Sequence, residues 1–62
     1  MKIYIKQYRE AAGMSLSELA KKSAVAVSTI SDIEHEKKCP TLNTLCKIAK
    51  ALGANAKDLF DC

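Results

Sequence analysis

The stretch LSELAKKSAVAVSTISDIEHEK, residues 16–37, constrains the fold of this chain most. Leu16, Leu19 and Ala20 stand at i, i+3 and i+4, the apolar face of an amphipathic helix. Val27, Ile30, Ile33 and Glu34 follow at similar spacing. Between the two sets lies Ser23-Ala24-Val25-Ala26, too short for an independent loop and free of proline. The spacing predicts two short helices held at a steep angle by a turn of three or four residues. The segments on either side then serve as packing for this pair.

A chain of 62 residues suggests a single domain over residues 1–62. A domain that small buries only about 60% of its unfolded surface, so its core must be shared by every element. A helical bundle suits that limit better than a scaffold with a deep catalytic pocket. Charged residues make up 27% and hydrophobic residues 48%, a globular balance, and the net charge of +3 is compatible with nucleic acid without establishing it. Cys39, Cys46 and Cys62 are odd in number, lack CxxC spacing and accompany one histidine, His35. They outline neither a disulfide framework nor a zinc site. Reduced thiols are expected, with Cys46 packed and Cys39 and Cys62 exposed. The opening MKIYIKQYRE interleaves charges with apolar residues, and no long apolar run follows. No signal peptide, membrane span, cofactor or small-molecule ligand is therefore expected, and a cytoplasmic location is.

Residues 3–12 are predicted as the first helix, with Ile5, Tyr8 and Ala12 on one side and Gly13 as its stop. Ile3-Tyr4-Ile5 would also suit a short strand, but a sequence this helical offers no evident partner strand. Ser15 with Glu18 three residues on reads as a capping box, and Met14 is the apolar residue before it. The second helix should run to about residue 23. The third, from Val27 to Glu34 or His35, lacks a capping side chain at Ala26, an omission that typically costs about 1 kcal/mol. Ala24 and Glu36 are unhelpful if the chain turns left-handed there. After Pro40, Thr41 can cap a fourth helix over residues 42–52, whose broad apolar face comprises Leu42, Leu45, Cys46, Ile48, Ala49 and Leu52, with Gly53 as its stop. Asn55 and Asp58 suggest a short fifth helix over residues 56–60, with Leu59 or Phe60 plugging the bundle. The expected fold class is all-α, a compact five-helix bundle in which helices 2 and 3 form the steep pair.

Two helices joined this way form a helix-turn-helix, whose second helix can enter a DNA major groove. The order of residues along the chain resembles the Cro and phage-repressor type of helix-turn-helix domain, the XRE family. The resemblance rests on Ile5, Tyr8-Arg9-Glu10 and Gly13; Met14-Ser15 and Glu18-Leu19-Ala20; Val25, Ser28-Thr29-Ile30-Ser31 and Ile33-Glu34; Pro40-Thr41-Leu42 and Thr44-Leu45; and Ile48-Ala49, Ala51-Leu52-Gly53 and Asp58-Leu59-Phe60. It implies a lambda-repressor-like fold and double-stranded DNA as partner. It also implies that Arg9 pairs with Glu34, that Ser15, Lys37, Lys38, Asn43 and Thr44 contact phosphates, and that Val27, Ser28 and Asp32 face bases, with Thr29 or Ser31 at the margin. Lys21 and Lys22 would serve solubility or long-range steering.

The base-facing set holds no arginine, glutamine or asparagine to read a purine with two bonds. Asp32, Glu34 and Glu36 make residues 27–36 acidic, which opposes approach to phosphates. Leu16 stands where the family often has a phosphate-touching glutamine, and Ala24, Ala26 and Glu36 replace its usual turn glycine, capping hydroxyl and terminal glycine. These departures make a homodimer on a palindromic site, joined through the end of helix 4 and helix 5, more necessary for tight binding. The competing reading is an antitoxin-like or regulatory protein-interaction module of the same fold, which exposed Leu16 and Val27 would suit. Catalysis is not expected, because Ser31, Asp32 and His35 share one short exposed helix with no cleft to exclude water.

Overall fold

The computed structural model describes residues 2–61. Strand β1 (Lys2–Ile3) leads through Tyr4 into helix α1 (Ile5–Ala11), and α2 (Leu16–Ser23), α3 (Val27–Glu34) and α4 (Leu42–Leu52) follow. A 3-10 turn (Ala56–Asp58) then delivers strand β2 (Phe60–Asp61). Four α-helices carry the architecture among the described residues, and none is long and apolar enough to cross a membrane.

Local chemistry sets the helix boundaries. The Ser15 hydroxyl accepts the Glu18 amide at 3.2 Å while the Glu18 carboxylate accepts the Ser15 amide at 3.0 Å, so two otherwise free donors are satisfied reciprocally at the start of α2. Thr41 Oγ1 accepts the Thr44 amide at 3.2 Å and caps the start of α4 with that one side-chain bond. Ala26 precedes α3 with no side-chain bond. At the other ends the chain turns left-handed. Gly13 (φ +70°) and Gly53 (φ +69°) stop α1 and α4 at little steric cost, whereas Ala24 (φ 59°) and Glu36 (φ 58°) adopt the same conformation with a Cβ.

Each helix lends at least one fully buried side chain to a common core. These are Ile5 of α1, Leu19 of α2, Ile30 and Ile33 of α3 and Ile48 of α4, completed by Leu59 beyond the 3-10 turn. Helix α2 packs against both α3 and α4, so it fixes the angle at which α3 is presented. Ser23, the one buried polar residue of the described set, donates its hydroxyl to the Leu19 carbonyl at 2.7 Å.

Several expectations need correction. A partner strand that was not expected does exist: β1 pairs antiparallel with β2, Lys2 opposite Asp61 and Ile3 opposite Phe60, so α1 starts at Ile5 rather than residue 3. Ile3 buries one face of this ribbon, opposite charges sit in register, and the Tyr4 amide donates to the Leu59 carbonyl at 2.8 Å. The fifth helix is absent as such. Asn55 makes no capping side-chain bond, only Ala56–Asp58 coil as a 3-10 turn, and Phe60 belongs to β2. The bundle is therefore four-helical with a two-stranded clasp. Its plug is Leu59, with Phe60 half-buried.

Helix α4 buries a narrower stripe than its composition suggests. Leu45, Ile48 and Ala49 are inside, while Leu42 is 69% exposed and Cys46 lies at the surface beside solvent rather than in the core. Tyr8 on α1 and Ala12 just past its end are likewise exposed. Leu16, expected outside, is half-buried and packed on the core. Cys39 is exposed, and Cys62 lies outside the described residues.

Candidate nucleic-acid interface

Burial of Ile30 and Ile33 against the core turns the opposite side of α3 outward. On an α-helix the residues three and four apart share a face, so Val27, Ser28, Ser31, Asp32 and the following His35 form one stripe. Val27 is 42% exposed, Ser28 and His35 are exposed, and Ser31 and Asp32 are half-buried. Thr29 is half-buried at the edge of the stripe. The stripe offers an apolar methyl pair, two hydroxyls, a carboxylate and an imidazole. The methyls can meet a thymine methyl, the hydroxyls can bond a base edge or donate to a phosphate oxygen, and the carboxylate can accept from the cytosine amino group.

Arg9 fastens α3 to the rest of the chain. Its Nε donates to Glu34 Oε2 at 2.8 Å and its Nη2 to Glu34 Oε1 at 3.3 Å, while Nη1 donates to the Met14 carbonyl at 2.9 Å. This fork ties α1, the turn after it and the end of α3 to one guanidinium. The side chains of Arg9 and Glu34 are only 12% and 4% exposed. The hydrogen bond that Arg9 donates to Glu34 pushes the Arg9 pKa above its ordinary value. The pair also changes the electrostatics of α3. With Glu34 matched by Arg9, the uncompensated acids of residues 27–36 reduce to Asp32 and Glu36.

The groups expected to meet phosphates occupy three separate places. Ser15 is exposed at the start of α2, where the capping box uses the Ser15 and Glu18 amides and leaves those of Leu16 and Ser17 without an intrahelical acceptor. The bond from the Ser15 backbone amide holds the Glu18 carboxyl below its usual range, so a negative charge already sits near this helix end. Lys37 and Lys38 are exposed directly after α3. The Glu36 amide donates to Ile33 O at 3.0 Å and the Lys37 amide to Asp32 O at 2.8 Å, which fixes the direction in which the two lysines leave the helix. At the start of α4, Asn43 is exposed, and the half-buried Thr44 hydroxyl accepts from Thr41 Oγ1 at 2.9 Å, keeping its own proton free to donate.

One residue of the stripe was missed in the sequence. His35 reads as a solvated helix-end residue, yet the 27-28, 31-32, 35 spacing carries it onto the same outward face. Leu16, at the family's glutamine position, is packed on the core and offers no polar contact.

Comparisons with known proteins bear on the family and the fold. The sequence profile of a helix-turn-helix family matches residues 5–59. The HTH-type transcriptional regulator SinR of Bacillus subtilis is 43% identical over 58 residues, covering 92% of this chain and 52% of SinR, so the chain spans about half that protein's length. The solved N-terminal DNA-binding domain of SinR matches with a TM-score of 0.86 at 42% identity, over 94% of this chain and 86% of that domain. The restriction-modification controller protein C.AhdI from Aeromonas hydrophila also reaches a TM-score of 0.86, at 28% identity over 90% of this chain and 85% of its own.

Proposed function

This chain belongs to the helix-turn-helix family, and from that premise we propose that it is a sequence-specific transcriptional regulator of double-stranded DNA, a repressor acting as a homodimer on a palindromic site. The observation that carries the reading is the division of α3 into a face locked in the core by Ile30 and Ile33 and an unencumbered polar stripe of Val27, Ser28, Ser31, Asp32 and His35. Such a helix lies in the major groove with its first turns against base edges. Val27 packs on a thymine methyl, Ser28 bonds a base edge and Asp32 accepts from cytosine N4. Ser15, Lys37, Lys38, Asn43 and Thr44 flank the helix and grip phosphates on either side, setting its register. SinR and C.AhdI are a transcriptional regulator and a controller protein by name, which favours regulation over structural DNA binding.

The competing reading, an antitoxin-like or regulatory protein-interaction module with weak or no DNA binding, draws on Val27, which is 42% exposed, and on the acidic α3 stretch. Its other supports are weaker: Leu16 packs inward and Arg9 neutralises Glu34. Titration of the protein with a mixed-sequence duplex at low and moderate salt separates the two. A steep fall of affinity with salt, together with a sequence-preferring component, supports the regulator. Absence of binding at protein concentrations on the order of tens of micromolar overturns it, since nonspecific binding alone falls in that range.

A further inference from the structure

We propose that His35 is a proton-coupled phosphate contact, gripping DNA only as the imidazolium; this rests on the DNA reading above. His35 Nδ1 lies 2.8 Å from the Ser31 carbonyl oxygen. A carbonyl can only accept, so Nδ1 carries a proton in this arrangement and Nε2 is the ring nitrogen left for a partner. In the neutral ring Nε2 is then a bare acceptor and repels a phosphate oxygen. Only the doubly protonated ring presents an Nε2 donor outward while keeping the bond to Ser31. The position selects phosphate over base: His35 caps the C-terminal end of α3, eight residues past Val27, and the base-reading residues of such a helix sit in its first turns. The basic pair Lys37 and Lys38 follows at once.

The charges of the surrounding elements are mixed. On α3 itself Asp32 shares the stripe and Glu34 is held by Arg9 of α1; Glu36, Lys37 and Lys38 follow in the connection to α4; and α2, packed against α3, carries Glu18, Lys21 and Lys22. Contact with DNA adds phosphates to this set and favours the charged ring. Binding therefore takes up a proton at His35 Nε2, and the sign follows: affinity rises as pH falls. The device costs the free protein little, because the ring is exposed.

The test is fluorescence anisotropy of a labelled duplex at constant ionic strength, at about pH 7.5 and about pH 5.5, a window that brackets ordinary histidine titration. Wild type is expected to bind about tenfold more tightly at the lower pH, the scale of one hydrogen bond to a charged group. His35→Gln and His35→Asn, whose side chains carry donors that do not titrate, should lose that gain. Equal wild-type affinity at both pH values, or the same gain in both variants, overturns the contact while leaving DNA binding intact. Wild type that binds at neither pH overturns the DNA reading and the contact with it.

Discussion

Arg9 and Glu34 show how one contact shapes both stability and function. The two lie 25 positions apart, are nearly withdrawn from solvent, and meet through two bonds of a planar fork. Removing the charge of one partner leaves the other partly buried without its counter-charge, so the loss exceeds that of a surface salt bridge. Glu34→Gln is therefore expected to destabilise the fold by about 2 kcal/mol, the scale of hydrogen bonds to charged groups. Urea denaturation followed by circular dichroism reads this as a midpoint lowered by about 1 M or more, given the small slopes of short chains. An unchanged midpoint would mean that the two charges are solvated independently. The same pair explains why α3 is less hostile to DNA than its composition implies, since its last acid is spent on Arg9 rather than facing outward.

The ends of the helices differ in how they solve one problem. All four leave through a left-handed residue, at Gly13, Ala24, Glu36 and Gly53, and the two that lack glycine bracket α3. A Cβ in that conformation costs roughly 1 kcal/mol. Ala24→Gly and Glu36→Gly should thus each raise the melting temperature by several degrees, about 4–8 °C per kcal/mol in a domain of this size. A fall in melting temperature for either would show that the native side chain makes a compensating contact. The capping box at Ser15, the stops at Gly13 and Gly53 and the Thr41 cap were all legible in the sequence, because each is a local bond within a few residues. The β1–β2 clasp was not, since two-residue strands show no alternation and their partners stand nearly a chain length apart. Nor was the narrowness of the α4 stripe: composition marks Leu42 and Cys46 as apolar, but only the way α2 and the 3-10 turn pack against α4 decides which apolar residues are covered. Within the candidate site, Val27, Ser28 and Asp32 were named by the family resemblance rather than by local chemistry, whereas His35 required the observed end of α3 and the bond from its ring to Ser31.

Across the whole molecule the limiting quantity is reach. The backbone spans 26 × 21 × 19 Å, and α3, with eight residues, is about 12 Å long. Successive major grooves on one face of DNA lie about 34 Å apart, so one copy engages one groove only. Its reading stripe carries no side chain able to make the paired bonds to a purine that are worth about 1–3 kcal/mol each. A single copy therefore gains most of its affinity from phosphates and discriminates weakly, while two copies on a palindrome double the base contacts without enlarging either chain. The expected complex holds two chains per site, with half-sites about 10 base pairs apart. Native mass spectrometry of the protein on a duplex chosen from selected genomic fragments should show two bound chains and little of the singly bound species. Inserting about five base pairs between the half-sites turns them to opposite faces of the helix and should reduce affinity to that of one half-site. Saturation at one chain per duplex, or indifference to the insertion, would mean that the molecule acts alone, with its selectivity carried by Val27, Ser28 and Asp32 of a single α3.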